Sequence, residues 1–546
     1  AKELTERGLK VLLVERGPHI THREDYSGED KAPWEMPFAG RIPEEEANQD
    51  YFVQKDCYAL EGATKKFFVN DRTHQYIHPK EKPFSWIRGY QLGGRSQLWA
   101  RQTYRWSDID FRANKTDGHG IDWPIRYKDI APWYDHVEKF AGISGSLEGL
   151  DQLPDGKFLP PMEMNCVEVE AKQKIEKAFP TRKMIIGRCA NLTEPTKEHL
   201  ELGRGRCQYR NECEKGCSFG ASFSSLSATL PAAQRTNNLT TVTDAIVHSV
   251  TYDHVSKRAT GVQIIDTNTK DYRQYSGRII FLCASTLGST QIMLNSISET
   301  FPNGIANSSG TLGHHLMDHI FMSGASGEHP GFQKNYYSGR RPNGIYVPRY
   351  RNVTEKDDRF LRGYGFQGGA SRPNWRRGSN MQGIGLELKE KLREPGSWQF
   401  HLGGFGEMLP DKRNRVLLDK NKQDQWGIPL LNIECELHDN ELKMLDAMSD
   451  DAAAMLSAAG IINIKKYNEA APPGLAIHEM GTARMGHNPS SSVLNKFNQT
   501  HDVSNLFITD GSAMTSSACQ NPSLTYMALT ARASAYAVQL LKDGKI

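Results

Sequence analysis

The sequence contains no apolar run approaching the ~18 residues of a membrane-spanning helix, so no stretch reads as a transmembrane segment. Charge of one sign is not in excess either. Lys and Arg number 67 against 64 Asp and Glu, a formal net charge of +3, and no basic block is dense enough to suggest a nucleic-acid groove or an anionic membrane. Cysteine is sparse: nine in 546 residues, an odd count that argues against a disulfide scaffold and leaves free thiols or a metal site. No fixed-period repeat and no low-complexity tract is present. Missing too, at the N-terminal edge, is the G-x-G-x-x-G turn that holds a dinucleotide pyrophosphate. The sequence starts at Ala1 without a methionine, so a removed targeting segment would leave no trace, and the compartment stays open between a bacterial periplasm and a cytoplasm.

What is present suits a large soluble α/β chain. At 38% hydrophobic content, 546 residues can bury a core that spans more than one domain. The stretch "KVLLVERGP" places four apolar residues, Val11 to Val14, before an acid, Glu15. Four is too few for a helix and suits a strand buried on both faces of a parallel sheet. An acid at such a strand end accepts hydrogen bonds from an adenosine ribose about 20 residues after the glycine turn. "AKELTERG" reads as the second half of a helix closed by Gly8, which would put the strand and glycine turn upstream of this sequence.

The same logic recurs later in the chain. Ile279 to Ala284 is a second unalternating strand followed by a helix over Thr286–Leu294, and Leu506 to Thr509 is a third, ending at Asp510-Gly511. All three strands are expected in one sheet. "LTTVTDAIVHSVTYD" and "ATGVQIID" read as a β-ribbon turning near Lys257, and residues 326 to 420 carry the texture of an inserted sheet-rich domain. Asn521 and Pro522 stand at the N-cap and first position of a C-terminal helix, whose positive end is an anion site. Gln399 and His401 alternate on a strand and so share a face, a pattern that ordinary sheet polarity also produces. His315 and His319 in "GHHLMDH" have metal-pair spacing, but the spacing sets no third ligand, and a structural role is favoured.

Taken in order, "GGRSQLWARQTYRWS", "LCASTLGSTQIMLNS", "HEMGTARMG", "LFITDGSAM" and "NPSLTYMAL" resemble the glucose-methanol-choline family of FAD-dependent oxidoreductases over nearly the whole chain, nearest to bacterial sugar and gluconate dehydrogenase flavoproteins and to pyranose oxidases. The resemblance implies an FAD-binding Rossmann-like parallel-sheet domain over 1–140, 200–325 and 470–546, with an inserted sheet-rich substrate-binding domain over 141–199 and 326–469. It implies catalysis by His478 and Asn521. An imidazole near neutral pKa suits removal of the hydroxyl proton while the carbinol carbon gives up a hydride. Gln399 and His401 match a substrate-facing Gln-x-His of pyranose oxidases. FAD contacts are implied for Glu15, Gly93, Gly94, Ser96, Trp99, Ala245, Cys283, Ala284, Asp510, Gly511, Pro522 and Thr525. Leu98 and Trp99 stand near the point where some pyranose oxidases carry a flavin-linking His, which implies non-covalent FAD.

Cys207, Cys213 and Cys217 are spaced C-x5-C-x3-C in one glycine-containing loop, suited to a soft iron–sulfur site, a disulfide with a spare thiol, or three reduced thiols. The spacing resembles the three-iron segment of bacterial FAD-dependent glucose dehydrogenases, with Ser218 in place of a proline. A 3Fe-4S cluster, a cytochrome-like electron acceptor and a small accessory subunit are therefore expectations. The leading expectation is a dehydrogenase acting on a secondary hydroxyl of a sugar, glycoside or aldonate. An oxygen-using oxidase, a hydroxynitrile-lyase-like use of the fold and a non-catalytic nucleotide-binding subunit stand as alternatives.

Overall fold

The computed structural model describes residues 1–335, 342–373, 377–378 and 381–546. Its short apolar runs form parallel strands. Val11–Val14 pairs with Leu239–Val242, and Ile280–Leu282 pairs with Leu506–Ile508. Leu506, Phe507 and Ile508 are fully buried, and the Phe281 and Phe507 rings stack across the pair at 4.9 Å. That burial is what selects an unalternating strand.

The three strands do not share the single sheet expected of them. Among the described residues these strands form two separate parallel pairs. "LTTVTDAIVHSVTYD" is also two strands rather than one, broken at Asp244, whose φ of 54° turns the chain. Leu239–Val242 goes to the N-terminal strand, while Ala245–Asp253 enters an antiparallel ribbon with Arg258–Asp266 and Tyr272–Ser276. Asp tolerates the left-handed region, so the break is cheap, but nothing in the β-rich pattern announces it.

The helices Thr286–Asn295 and Ser523–Lys542 follow the two inner strands. The second layer is a seven-stranded antiparallel sheet drawn from Ile185–Ile186, His319–Ile320, Ser323–His329, Ile345–Val347, Tyr364–Ser371, Trp398–Glu407 and Ile462–Asn468. Strict alternation gives this sheet its two faces. Trp398, Phe400 and Leu402 are buried in a core shared with Met444, Met448 and Met455 of the helix Asp439–Ala458, while Gln399, His401 and Gly403 turn the other way. The architecture is thus α/β, with parallel strand pairs flanked by helices beside an antiparallel sheet.

Candidate active site

His478 sits in a turn that the sequence alone would not favour. Ile477 before it has φ of 67°, a left-handed conformation that a β-branched residue adopts only under constraint. The constraint is Asp318. Its buried carboxylate accepts backbone N–H bonds from Gly474 (2.7 Å), Ala476 (3.2 Å) and His478 (3.0 Å), so one side chain fixes the whole turn. Burial, reinforced by the nearby Glu479, pushes the Asp318 carboxyl up to about 7, against the pull of those N–H donors. Glu479 in turn receives a two-pronged grip from Arg95, at 3.2 and 2.9 Å, which ties the "HEMG" turn to the "GGRS" loop.

Two polar side chains face the His478 ring. Its Nδ1 lies 2.9 Å from Nδ1 of His319, and its Nε2 lies 3.4 Å from Nδ2 of Asn521. Burial, with smaller contributions from His319 and Arg95, holds the His478 pKa well below the usual imidazole value, so the ring is neutral near pH 7. Asn521 Oδ1 accepts from Nε2 of Gln367 at 2.7 Å. This revises the expected helix cap: the helix begins at Ser523 with Pro522 in the cap position and no side-chain cap bond, because the Asn521 amide is turned to Gln367 and His478 instead.

The corner adjoins a cavity of about 700 Å³ whose wall includes Gln367, His401, Phe405 and Tyr467 from the antiparallel sheet, with Asn343 and Glu214 from loops. Phe405 packs against both imidazoles, its ring 6.4 Å from His319 and 6.3 Å from His478. His401 thus lines the cavity with Gln367, whereas Gln399 is not among its lining residues. A second cleft of similar size, about 700 Å³, beside Lys2 and His136, shares no residue with this corner.

The residues expected to contact FAD fall into several places. Glu15 ends its strand with Oε1 accepting the Gly17 N–H at 2.9 Å, its backbone carbonyl accepts the Ala245 N–H at 3.0 Å, and burial pushes its carboxyl up to about 7. Gly93, with φ of 89°, opens the short helical turn Gly94–Gln97, where Ser96 Oγ donates to the Gly93 carbonyl at 2.6 Å and accepts the Ser225 N–H at 2.9 Å. Trp99 Nε1 donates to the Phe223 carbonyl at 2.9 Å, and Thr525 Oγ1 shares a hydrogen bond with the Tyr134 hydroxyl at 2.8 Å, so both polar groups are spent on the protein. Cys283 Sγ lies 3.2 Å from Thr509 Oγ1, next to Ala284, at the end of the inner parallel pair. Asp510 Oδ1 accepts from Ser512, and the Gly511 carbonyl accepts the Gly481 N–H at 3.0 Å. A Cβ on Gly511 would lie 2.4 Å from the Glu479 carbonyl oxygen, so this strand end approaches the "HEMG" turn only as glycine.

The same lining fits a flavin dinucleotide. Cys283 is exposed and Arg95, His478, Asp510 and Tyr526 are half-buried, Arg95 with 28% of its side chain accessible, so each keeps surface on which a ligand can lie. The Tyr526 hydroxyl, against Gly511, has no hydrogen-bond partner in the protein, a buried donor left for a polar ligand.

The cysteine loop is otherwise. Cys207, Cys213 and Cys217 are free thiols, and among the described residues no group of three or more His, Cys, Asp or Glu side chains is arranged to hold a metal ion. Burial raises the Cys207 thiol and pushes Cys213 up to about 12, disfavouring the thiolate that ligation requires. The iron–sulfur expectation therefore finds no support. The loop instead supplies Glu212, Glu214 and Lys215 to the cavity wall.

Three residues of the corner escaped the sequence reading. The spacing of His319 to His315 points only to a metal pair, Asp318 carries no signal of its own, and Gln367 is one polar residue in a strand. The alternation of Tyr364–Ser371 does put Gln367 on the face opposite the buried Phe366, the one signal that could have found it.

The chain is similar to known proteins over nearly its whole length. Family models described as GMC oxidoreductase match residues 12–321 and 410–530. The 2-methyl-1,2-propanediol dehydrogenase of Mycolicibacterium austroafricanum is 28% identical, over 99% of this chain and 93% of that protein. The fructose dehydrogenase large subunit of Gluconobacter japonicus is 25% identical, over 100% and 96%. Among solved structures, an Aspergillus oryzae formate oxidase, described for the modification of its FAD, superposes with a TM-score of 0.59 at 13% identity, covering 100% of this chain and 96% of its own.

Proposed function

The chain belongs to the GMC oxidoreductase family and is an FAD-dependent enzyme acting on CH–OH groups; from that membership we propose that it is a dehydrogenase oxidising a secondary hydroxyl of a sugar, glycoside or aldonate. The observation that carries this reading is the neutral His478 beside Asn521 at the edge of a cavity whose wall offers amide, imidazole, phenol and carboxylate groups. A polyhydroxylated substrate needs several such partners, and a small apolar alcohol does not. The fructose dehydrogenase likeness supports a sugar substrate, and the likeness to a 2-methyl-1,2-propanediol dehydrogenase supports only the coarser reading, oxidation of a hydroxyl in a polyol.

Each side chain has a role in this reading. His478 Nε2 takes the proton of the reacting hydroxyl, which a buried neutral imidazole can do throughout the neutral range. Asn521 Nδ2 donates to the same oxygen, and Gln367 holds the amide in that orientation. His401, Tyr467 and Asn343 receive the remaining hydroxyls. The residues around Glu15, Gly93, Cys283, Asp510 and Tyr526 would hold FAD without a covalent bond, and the flavin would supply the hydride acceptor. The electron acceptor would be other than oxygen and of the cytochrome type, with a small accessory subunit alongside; the likeness to a protein named as a large subunit supports the accessory subunit.

The test is anaerobic reduction of the FAD-loaded protein by a panel of glycosides, aldonates, hexoses and simple alcohols, with products located by NMR. Bleaching by polyhydroxylated members, with a ketone at one ring or chain carbon, is expected. Reduction by simple alcohols alone would overturn the substrate class, and stoichiometric hydrogen peroxide in air would make the protein an oxidase.

A further inference from the structure

We infer that His319 is a positioning residue that fixes the tautomer of His478, leaving the Nε2 lone pair of His478 free to act as base. The inference rests on the reading of His478 as base and adds a residue and a reason.

Ser517 is immobilised by a two-way exchange with Met408, its Oγ accepting the Met408 N–H at 3.1 Å and donating to the Met408 carbonyl at 3.0 Å. The Ser517 carbonyl oxygen therefore has a fixed position, and it lies 3.3 Å from Nε2 of His319. A carbonyl can only accept, so Nε2 of His319 carries a proton. Burial holds the His319 pKa down to about 4, against the pull of the Ser517 and Ala518 backbone, so the ring is neutral and its Nδ1 is a bare lone pair. That lone pair faces Nδ1 of His478 at 2.9 Å, a contact that is attractive only if His478 carries its proton on Nδ1. His478 is neutral as well, so its Nε2 has none.

The remaining partner agrees. Gln367 donates to Asn521 Oδ1, which turns Asn521 Nδ2, a donor, toward His478 Nε2, and a donor there requires a lone pair opposite it. Two chains of hydrogen bonds, one from Ser517 and one from Gln367, thus impose the same tautomer from opposite sides of the ring. During reaction the substrate O–H bond breaks and its proton forms a bond to His478 Nε2. The resulting imidazolium keeps its Nδ1–H donated to His319, so no second proton moves. Elsewhere, loss of the group that sets a catalytic histidine's tautomer costs about 10⁴ in rate with the geometry intact.

The experiment uses FAD-loaded protein with [15N]histidine and long-range 1H–15N correlation near neutral pH, His478 being assigned by its disappearance in His478→Gln. The expected spectrum shows His478 protonated at Nδ1 alone and His319 at Nε2 alone. His319→Leu should move the His478 proton toward Nε2 and slow anaerobic flavin reduction at saturating substrate by about 10²-fold or more, with KM changing by less than about threefold. His319→Asn keeps an acceptor near the Nδ1 position and should recover most of that rate, whereas His319→Gln, whose amide falls near Nε2, should not. His478 protonated at Nε2 in the unmodified protein would overturn the inference, as would His319→Asn as slow as His319→Leu with FAD bound in both. If His478→Gln reduces its flavin at the normal rate, the base assignment fails, and that result is separate from the spectrum.

Discussion

Gln367 Nε2 and Asn521 Oδ1, 154 residues apart in sequence, meet at 2.7 Å, and this bond helps join the antiparallel sheet to the turn that precedes the C-terminal helix. It leaves Asn521 Nδ2 as the end that faces His478. Gln367→Leu should therefore free the amide to rotate and slow flavin reduction at saturating substrate by about 5- to 10-fold, the equivalent of one hydrogen bond of roughly 1 kcal/mol. Gln367→Glu should be worse, since a carboxylate facing Oδ1 repels it. Stopped-flow reduction of both variants checks this, with FAD content as the control.

Asp318 pairs three buried N–H groups of the turn that carries Ile477 in its left-handed conformation. Asp318→Ala leaves all three without that acceptor, at about 1–3 kcal/mol for each that finds no water. The expected outcome is a lower unfolding midpoint together with slower reduction, because the turn that aims His478 relaxes. Thermal unfolding followed by circular dichroism and by flavin release measures it.

Glu479 is buried at 2% side-chain exposure and its charge is met by Arg95. Arg95→Met should destabilise the protein by about 3–5 kcal/mol, since an unpaired buried carboxylate is left behind. The double variant Arg95→Met with Glu479→Gln should recover much of that loss. Urea unfolding of the three variants tests the coupling directly.

The pH profile of the reductive step has a definite sign. His478 must be neutral to accept a proton, and burial, His319 and Arg95 all lower its pKa from the ordinary 6.5. Activity is therefore present above the lowered pKa and lost only as pH falls through it, so the acid limb of anaerobic reduction should lie well below pH 6.5 rather than near it. Asp318 and His319 are the titrating neighbours, pushed up to about 7 and down to about 4, so an acid limb near 7 would report Asp318 rather than His478.

Much of this was legible in the sequence, for reasons that differ by element. The buried strands at 280–282 and 506–508 announce themselves because a strand covered on both faces must be apolar throughout, and their parallel pairing follows the expectation. The partner of Val11–Val14 was not legible, because β-rich "LTTV" runs on into the ribbon and only the backbone at Asp244 separates them. His478 and Asn521 could be named from the family motifs that contain them. Asp318 and His319 could not be given roles, since their partners lie some 160 residues away and a polar residue's partner leaves no periodicity to read. The cysteine triplet shows a related limit: spacing puts three thiols in one loop, but it does not show the burial that raises Cys207 and Cys213.

The central claim, that this protein oxidises a polyhydroxylated substrate by removing a proton at His478 as a hydride leaves the carbinol carbon, is tested most directly by one measurement. It is anaerobic stopped-flow reduction of the FAD-loaded protein by its best sugar-type substrate, with hydrogen or deuterium on the reacting carbon, in the unmodified protein and in His478→Ala. The account predicts a primary deuterium isotope effect on flavin bleaching and a loss of about 10²–10⁴ in rate in His478→Ala with FAD still bound. Equal bleaching rates in the two proteins, or no bleaching by any polyhydroxylated substrate, would contradict it.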